Sequence, residues 1–258
     1  NISLSHSWGT SVSNNAALGG TLYEAYKFQS ITPVKNLEDE YAGNVFSDIP
    51  NPMGKLHRNK DNKDKKSRLV GNLYAELHLF DGFMFKTSFG ADYNNLYRRS
   101  FSPKYDEINA SEKLSGLSNR NAWNFNWVFT NTLNYTKTFG DHTINALLGL
   151  ESLRNRYEYF TASRDGFPSD DPNFHFLDAG DVGTQKNSGS ATEYSMVSYF
   201  GKIDYNYHDR YLVAFTLRRD GSSRLGNNKW GNFPAASVGW RISNEPFFDV
   251  EAINNLKL

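Results

Sequence analysis

The sequence predicts an all-β chain, an antiparallel sheet forming part of a transmembrane β-barrel, and three observations carry that expectation. Apolar and polar residues alternate with period two over long runs. Successive side chains of a strand point to opposite faces, so each run separates an apolar environment from a wet one. Tight turns are expected at 81–82, 140–141 and 208–210, with long polar loops between them. That asymmetry is the one outer-membrane barrels show, with short periplasmic turns and long extracellular loops. Aromatic residues reach 15%, with 15 Tyr and 19 Phe. The mean hydropathy is −0.63, and no run approaches the roughly 18 apolar residues of a membrane helix. Strands remain the means of crossing, because a barrel pairs its backbone groups between strands. A soluble sandwich gives the same alternation, so the pattern by itself leaves both readings open.

The chain has 258 residues, and its 28 basic and 28 acidic residues cancel, so no nucleic acid or other polyanion is implied. It has no cysteine, hence no disulfide framework and no thiolate metal site. Residues 1–8 lack the charged and apolar regions of a signal peptide. Ile2, Leu4, His6 and Trp8 alternate with serines, so the chain enters on a strand already under way. It stops at Leu256-Lys257-Leu258, which reads as the opening of another strand, and both ends are expected to be those of a fragment.

Residues 9–66 carry no sustained period and include several Pro and Gly and a charged run at 60–66. A short helix is expected within 16–30, around Leu18, Leu22 and Tyr26. So long a connection is unusual inside a compact domain and normal on the outer side of a barrel. A strand is predicted over 68–80, with Leu69, Leu73, Ala75, Leu77 and Leu79 opposite Asn72, Tyr74, Glu76 and His78. Asp81-Gly82 is a hairpin signal. The return strand, 83–97, sets Phe83, Phe85, Phe89 and Tyr93 against Lys86, Ser88, Asp92 and Asn94, and a polar loop is expected over 98–121.

The run 123–139 is the cleanest. Trp123, Phe125, Trp127, Phe129, Asn131, Leu133, Tyr135, Lys137 and Phe139 stand on one face, and Asn124, Asn126, Val128, Thr130, Thr132, Asn134, Thr136 and Thr138 on the other. It exceeds the roughly 9–11 residues needed to cross a bilayer, so it is expected to project beyond the membrane. Gly140-Asp141 turns the chain, and 142–160 returns with Ile144, Ala146, Leu148 and Leu150 on one side. A third loop is expected over 161–192. Strands are predicted at 194–207, 211–219 and 233–243, and 244–255 is read as a longer periplasmic turn. The count is eight strands and the start of a ninth.

Within the last part stand Tyr199-Phe200-Gly201, Tyr205-Asn206-Tyr207, Arg210-Tyr211, Arg219-Asp220-Gly221-Ser222-Ser223, Trp230-Gly231, Phe233-Pro234 and Gly239-Trp240. In order and spacing this stretch closely resembles the barrel domain of SusC/RagA-type TonB-linked outer-membrane proteins. The departures are Lys202 and Leu225, where Arg and Phe are expected, and Ala235, where Ser is expected. The rest of the chain resembles that family more loosely, from Asn51-Pro52 onward.

Several candidate sites remain bland. Asp165, Asp170, Asp171, Asp178 and Asp181 are read as a solvated loop, with Ca²⁺ in that loop as the alternative. His142, His175 and His208 have no ligand spacing. The stretch 218–224 lacks the phosphate-loop pattern, and its Asp-Gly-Ser-Ser is read as a turn. There is no Gly-x-Ser-x-Gly elbow, so neither a catalytic residue nor a cofactor is assigned. Tyr135, Phe139, Tyr205, Tyr207 and Tyr211 flank tight turns and are candidates for a periplasmic aromatic girdle, against plain cross-strand packing. Of the loop aromatics, Tyr105, Phe167, Phe174 and Phe176 are read as loop packing rather than sugar-stacking groups.

The resemblance implies that residues 1–258 are part of a barrel domain, about a third of a 22-stranded plugged transporter. Plug, TonB-contacting segment and remaining strands are expected outside this sequence. It implies a Bacteroidota-type Gram-negative outer membrane, oligosaccharide or peptide import, a SusD-like surface lipoprotein and the TonB complex as partners. Glu76, Lys86, Asp92, Asn124, Asn126, Thr130, Thr132 and Asp204 are the lumen-facing candidates. Two alternatives are a self-contained eight-stranded barrel, structural or adhesive, and a soluble all-β carbohydrate-binding or hydrolytic domain.

Overall fold

The computed structural model describes residues 2–12, 20–250 and 253–258. From the first strand, β1 (Ile2–Val12), the chain passes through two short helices, α1 (Thr21–Lys27) and α2 (Pro52–Arg58). It then enters the hairpin of β2 (Lys63–Phe80) and β3 (Phe83–Ser102). A small separate hairpin follows, β4 (Tyr105–Glu107) and β5 (Ala110–Glu112). The long pair β6 (Gly116–Phe139) and β7 (His142–Asp165) leads through three 3-10 turns to β8 (Lys186–Tyr207), β9 (Tyr211–Ser222) and β10 (Trp230–Trp240).

Eight strands form one antiparallel sheet in the order β1-β2-β3-β6-β7-β8-β9-β10, each beside its predecessor in the sheet. This is the up-and-down segment of a transmembrane barrel that the alternation predicts. Among the described residues β1 and β10 are its edges and do not pair, so these strands do not form the self-contained barrel of the alternative reading. Lys257 bridges Arg241, and Trp240 and Leu258 exchange backbone hydrogen bonds of 3.0 and 2.9 Å, the start of the ninth strand. No helix among the described residues is long and apolar enough to cross a membrane.

The three tight turns stand where the sequence puts them. His208 and Asp209 both adopt left-handed backbone (φ 51° and 55°), and Arg210 N–H donates to the Tyr207 carbonyl at 3.0 Å. Positive φ at both central residues of this turn matches the twist of the flanking strands. Gly82 (φ 79°) and Gly140 (φ 56°) supply the left-handed residue of the other two turns.

At the opposite end the strands outrun the prediction. β2 starts at Lys63 rather than 68, β3 continues to Ser102, β6 begins at Gly116 rather than 123, β7 reaches Asp165, and β8 begins at Lys186. β9 runs to Ser222, so Asp220 to Ser222 are strand and the turn begins after them. β10 is shifted back to Trp230–Trp240 from the expected 233–243. These outer lengths carry no sustained alternation of apolar and polar residues, so no period marks them. In 9–66, β1 extends to Val12, α1 falls within the expected helical stretch, and α2 was not expected. Leu18 lies outside the described residues, and so do the side chains of Ile2, Leu4 and Trp8.

The buried apolar residues are Ala42, Phe101, Ala110, Leu117, Ala122 and Phe167, and all of them belong to the outer end. Phe101, Leu117 and Phe167 form one cluster, with Leu177 and Ala179 against it.

Candidate functional site on the polar face

Residues paired across an antiparallel ladder share a face, so the register sorts the sheet into two surfaces. Leu77, Phe85, Leu133, Leu148, Gly201, Leu217 and Pro234 form one continuous cross-strand row. One residue along, Glu76, Lys86, Thr132, Gly149, Phe200 and Arg218 form the row of the other face. On β9 exposure alternates residue by residue, and the exposed members are Tyr211, Val213, Phe215, Leu217 and Arg219. Leu148 is 64% exposed and Phe215 49%. The apolar face is therefore the open one, the inverse of a water-soluble sheet.

Much of the polar face satisfies its own charges. Glu76 meets Lys86 at 2.9 Å, Lys202 meets Asp204 at 2.9 Å, and Arg68 grips Asp92 through two bonds of 3.0 and 2.7 Å. Arg218 donates to Asp220 (2.7 Å), Ser198 (2.9 Å) and Glu151 (3.3 Å), while the Thr130 hydroxyl reaches the other Glu151 oxygen at 3.2 Å. Asn155 donates to Asn124 at 2.7 Å and also to Asn126. All eight lumen-facing candidates thus lie on this face: Glu76, Lys86, Asp92, Asn124, Asn126, Thr130, Thr132 and Asp204. Phe200 lies there too, its ring over Gly149, where a Cβ would come within 2.1 Å, and beneath the Arg218 guanidinium at 5.5 Å. Alternation could not reveal that, because it shows which face a residue takes and not what lies under it.

At the tight-turn end the girdle candidates stand on the apolar face. Phe139, His142, Tyr207, Tyr211 and Trp240 form one row. His142 stacks on Phe139 at 5.3 Å and hydrogen-bonds the Tyr205 hydroxyl at 2.7 Å. Tyr135 packs on Phe83 at 4.3 Å and Phe83 on Phe80 at 4.7 Å. At the other end of β9, Tyr199 and Arg219 gather around Trp230, at 5.9 and 5.0 Å.

The motif residues thus pin strands together. Trp230 covers Gly221, leaving no room for a Cβ. Ser223 accepts from the Ser195 backbone at 2.9 Å and returns its own N–H to that carbonyl at 3.0 Å. Glu245, buried in the turn after β10, accepts from Trp240 Nε1 at 2.9 Å and Arg210 at 3.4 Å. The Tyr211 and Trp240 hydrogen bonds hold its carboxyl below the usual range. Glu245 carries no sequence signal, since Arg210 and Tyr211 lie in a different hairpin.

The outer rim is folded rather than loose. Arg58 pairs with Glu107 at 2.7 Å, the glutamate side chain only 3% exposed, and Glu107 also accepts from Asn51 N–H at 2.6 Å. Asn51 caps α2 and donates to the Val34 and Ala42 carbonyls. His175 is buried against Phe101, ring centroids 3.5 Å apart, and its Nε2 faces the Asp170 carbonyl at 3.1 Å. Burial lowers its pKa. Asp171 and Asp181 cap 3-10 turns, and among the described residues no group of three acidic or His side chains is placed to hold a metal. Tyr105 lies under Arg58 and Phe167 in the cluster, whereas Phe174 and Phe176 are exposed.

No family model matches the chain. It is similar to TonB-dependent receptor P39 of Formosa agariphila, 32% identical over 86% of this chain and 21% of that protein. It is also similar to TonB-dependent receptor SusC of Bacteroides thetaiotaomicron, 28% identical over 89% of this chain and 22% of that protein. The chain thus spans about a fifth of the length of these curated relatives. Its fold is that of a solved structure of the RagAB peptide transporter, with a TM-score of 0.69 at 23% identity, over 77% of this chain and 22% of that one.

Proposed function

The chain belongs to the SusC/RagA family of TonB-dependent receptors, and from that premise we propose that residues 1–258 form part of the wall and outer rim of an outer-membrane importer. In this reading the apolar face meets lipid, the polar face lines the lumen, and the folded rim faces the cell exterior. The aromatic rows at the tight-turn end sit at the periplasmic headgroup level, where amphipathic rings collect. The carrying observation is that the apolar side chains are the exposed ones on β9 while the polar ones are half-buried. Curvature crowds side chains on a concave face and spreads them on a convex one, which supports a polar interior and a lipid-facing exterior.

The importer takes up oligosaccharides or peptides, with a SusD-like lipoprotein seated on the rim and TonB acting through a plug. The peptide transport ascribed to RagAB supports the peptide part of that range, and the oligosaccharide part follows from the family resemblance. The test is cysteine labelling of the complete protein in lipid vesicles. Asn134→Cys is expected to react with a hydrophilic maleimide, and Leu133→Cys to be protected. The reverse pattern would reject the facing. Loss of uptake on deleting the gene, scored with oligosaccharides and with peptides, decides between the solute classes.

A further inference from the structure

The polar face holds a shallow depression of about 400 Å³ near the rim, lined by Lys66, Arg68, Asn94, Asn124 and Tyr157 among others. Arg120 adjoins it, its guanidinium donating to the Tyr157 hydroxyl at 3.1 Å and lying 3.9 Å over the Tyr159 ring. Two carboxylates stand nearby, and both are spent. Asp92 is gripped by Arg68 and also accepts from Asn94 at 3.0 Å. Asp64 takes two bonds from Arg98, at 2.7 and 2.6 Å. Among the described residues no carboxylate pairs with Lys66 or Arg120. Four cations thus face two neutralised acids.

Asn155 spends its amide N–H on the carbonyl oxygens of both Asn124 and Asn126. Tyr157 accepts from Arg120, which leaves its O–H as a donor. Spent carboxylates, two unpaired cations and a free hydroxyl donor make the arrangement that recognises an anion.

We propose that this depression is a binding subsite for the carboxylate or sulfate group of an acidic oligosaccharide. Lys66 and Arg120 supply charge, and Asn124 and Tyr157 supply neutral hydrogen bonds. The tyrosine faces beside them, Tyr157 and Tyr159, offer stacking surface for a sugar ring. The inference rests on the polar face being the lumen.

The experiment uses the complete protein in detergent, titrated calorimetrically at low salt with oligogalacturonate and with its methyl ester, which removes the charge and adds only a methyl group to each carboxyl. A sulfated carrageenan oligosaccharide and an oligoglutamate peptide are titrated in parallel. The acidic form of a sugar is expected to bind about tenfold more tightly than its neutral form, the scale of one charge-assisted hydrogen bond. In K66Q/R120Q that preference is expected to fall to within about twofold. Equal binding of acid and ester, a preference that survives K66Q/R120Q, or binding of none of the anions would each overturn the subsite. Binding of the peptide alone would overturn its assignment to sugars. Labelling of Asn126→Cys by a hydrophilic maleimide runs alongside. A protected Asn126→Cys would mean that the lumen reading had failed, whereas a labelled one without anion preference would defeat the subsite alone.

Discussion

The middle of the sheet and its outer rim are held by opposite means. In the middle, Leu77, Leu148, Ile203, Val213, Phe215 and Leu217 stand at least 46% exposed, and no buried apolar residue is found there among the described residues. At the rim, Phe101, Leu117 and Phe167 make a small core, Arg58 and Glu107 a buried ion pair, and Asn51 a fully engaged cap. A soluble sheet places its core mid-strand. Here, among the described residues, the buried apolar cluster sits at the rim, and the mid-strand apolar surface stands exposed, as the proposed lipid contact requires. Stability at the rim thus depends on protein partners, and in the band on the medium.

The largest effect that would sharpen this contrast is at the rim. Arg58→Ala strands a buried carboxylate, and the loss is expected at about 3–5 kcal/mol. It should register as faster proteolysis of 20–60 in the complete protein while the barrel strands stay protected. Uniform destabilisation of the whole sheet would erase the distinction between the two regions.

In the band, Phe215 lies midway between the Tyr211 row and Arg219 on β9. Phe215→Arg is expected to cost about 2–4 kcal/mol in lipid, and Leu217→Arg, nearer the interface, about 0–1 kcal/mol. Thr216→Arg, on the opposite face, should be better tolerated than Phe215→Arg. Refolding into vesicles with denaturant titration measures all three. Equal large losses at 215 and 217 would point to a packed protein core instead of lipid.

A smaller, pH-dependent effect belongs to the rim alone. Burial places the His175 pKa below its unfolded value, so the unfolded chain binds the proton more readily. The stabilisation by neutral His175 is present above about pH 6.5 and is lost as pH falls through its folded pKa. Hydrogen exchange in 166–185 should quicken at pH 5.5 relative to 7.5, while mid-strand amides hold. His175→Phe should flatten that dependence. The smallest change concerns the exposed Lys113–Asp106 pair at 2.9 Å, with side chains 71% and 78% exposed. Lys113→Ala should shift stability by less than about 0.5 kcal/mol, because solvent screens such pairs. A larger loss would mean that rim ion pairs matter irrespective of burial.

Legibility followed the same division. The band was readable residue by residue, since Trp123 to Phe139 faces two media and writes both into a period of two. The turn at 208–210 was readable as well. The outer lengths of β7 and β8 were not, because 161–165 and 186–193 carry no alternation of apolar and polar residues. α2 did have a signal, Asn51 as N-cap with Pro52 as the first helical residue, which a reading centred on strands passes over.

By itself, then, the sequence determined the strands that cross, their faces, their tight turns and the family motif, because each is local and repeats at the spacing of a strand. Only the tertiary structure decided that the rim is folded, that Glu107 meets Arg58 and Asn51 across about fifty residues of chain, and that Phe200 roofs Gly149. It also decided that the carboxylates near Lys66 are already spent. Such contacts join residues that are distant in sequence, and no periodicity records which distant partner a side chain will find.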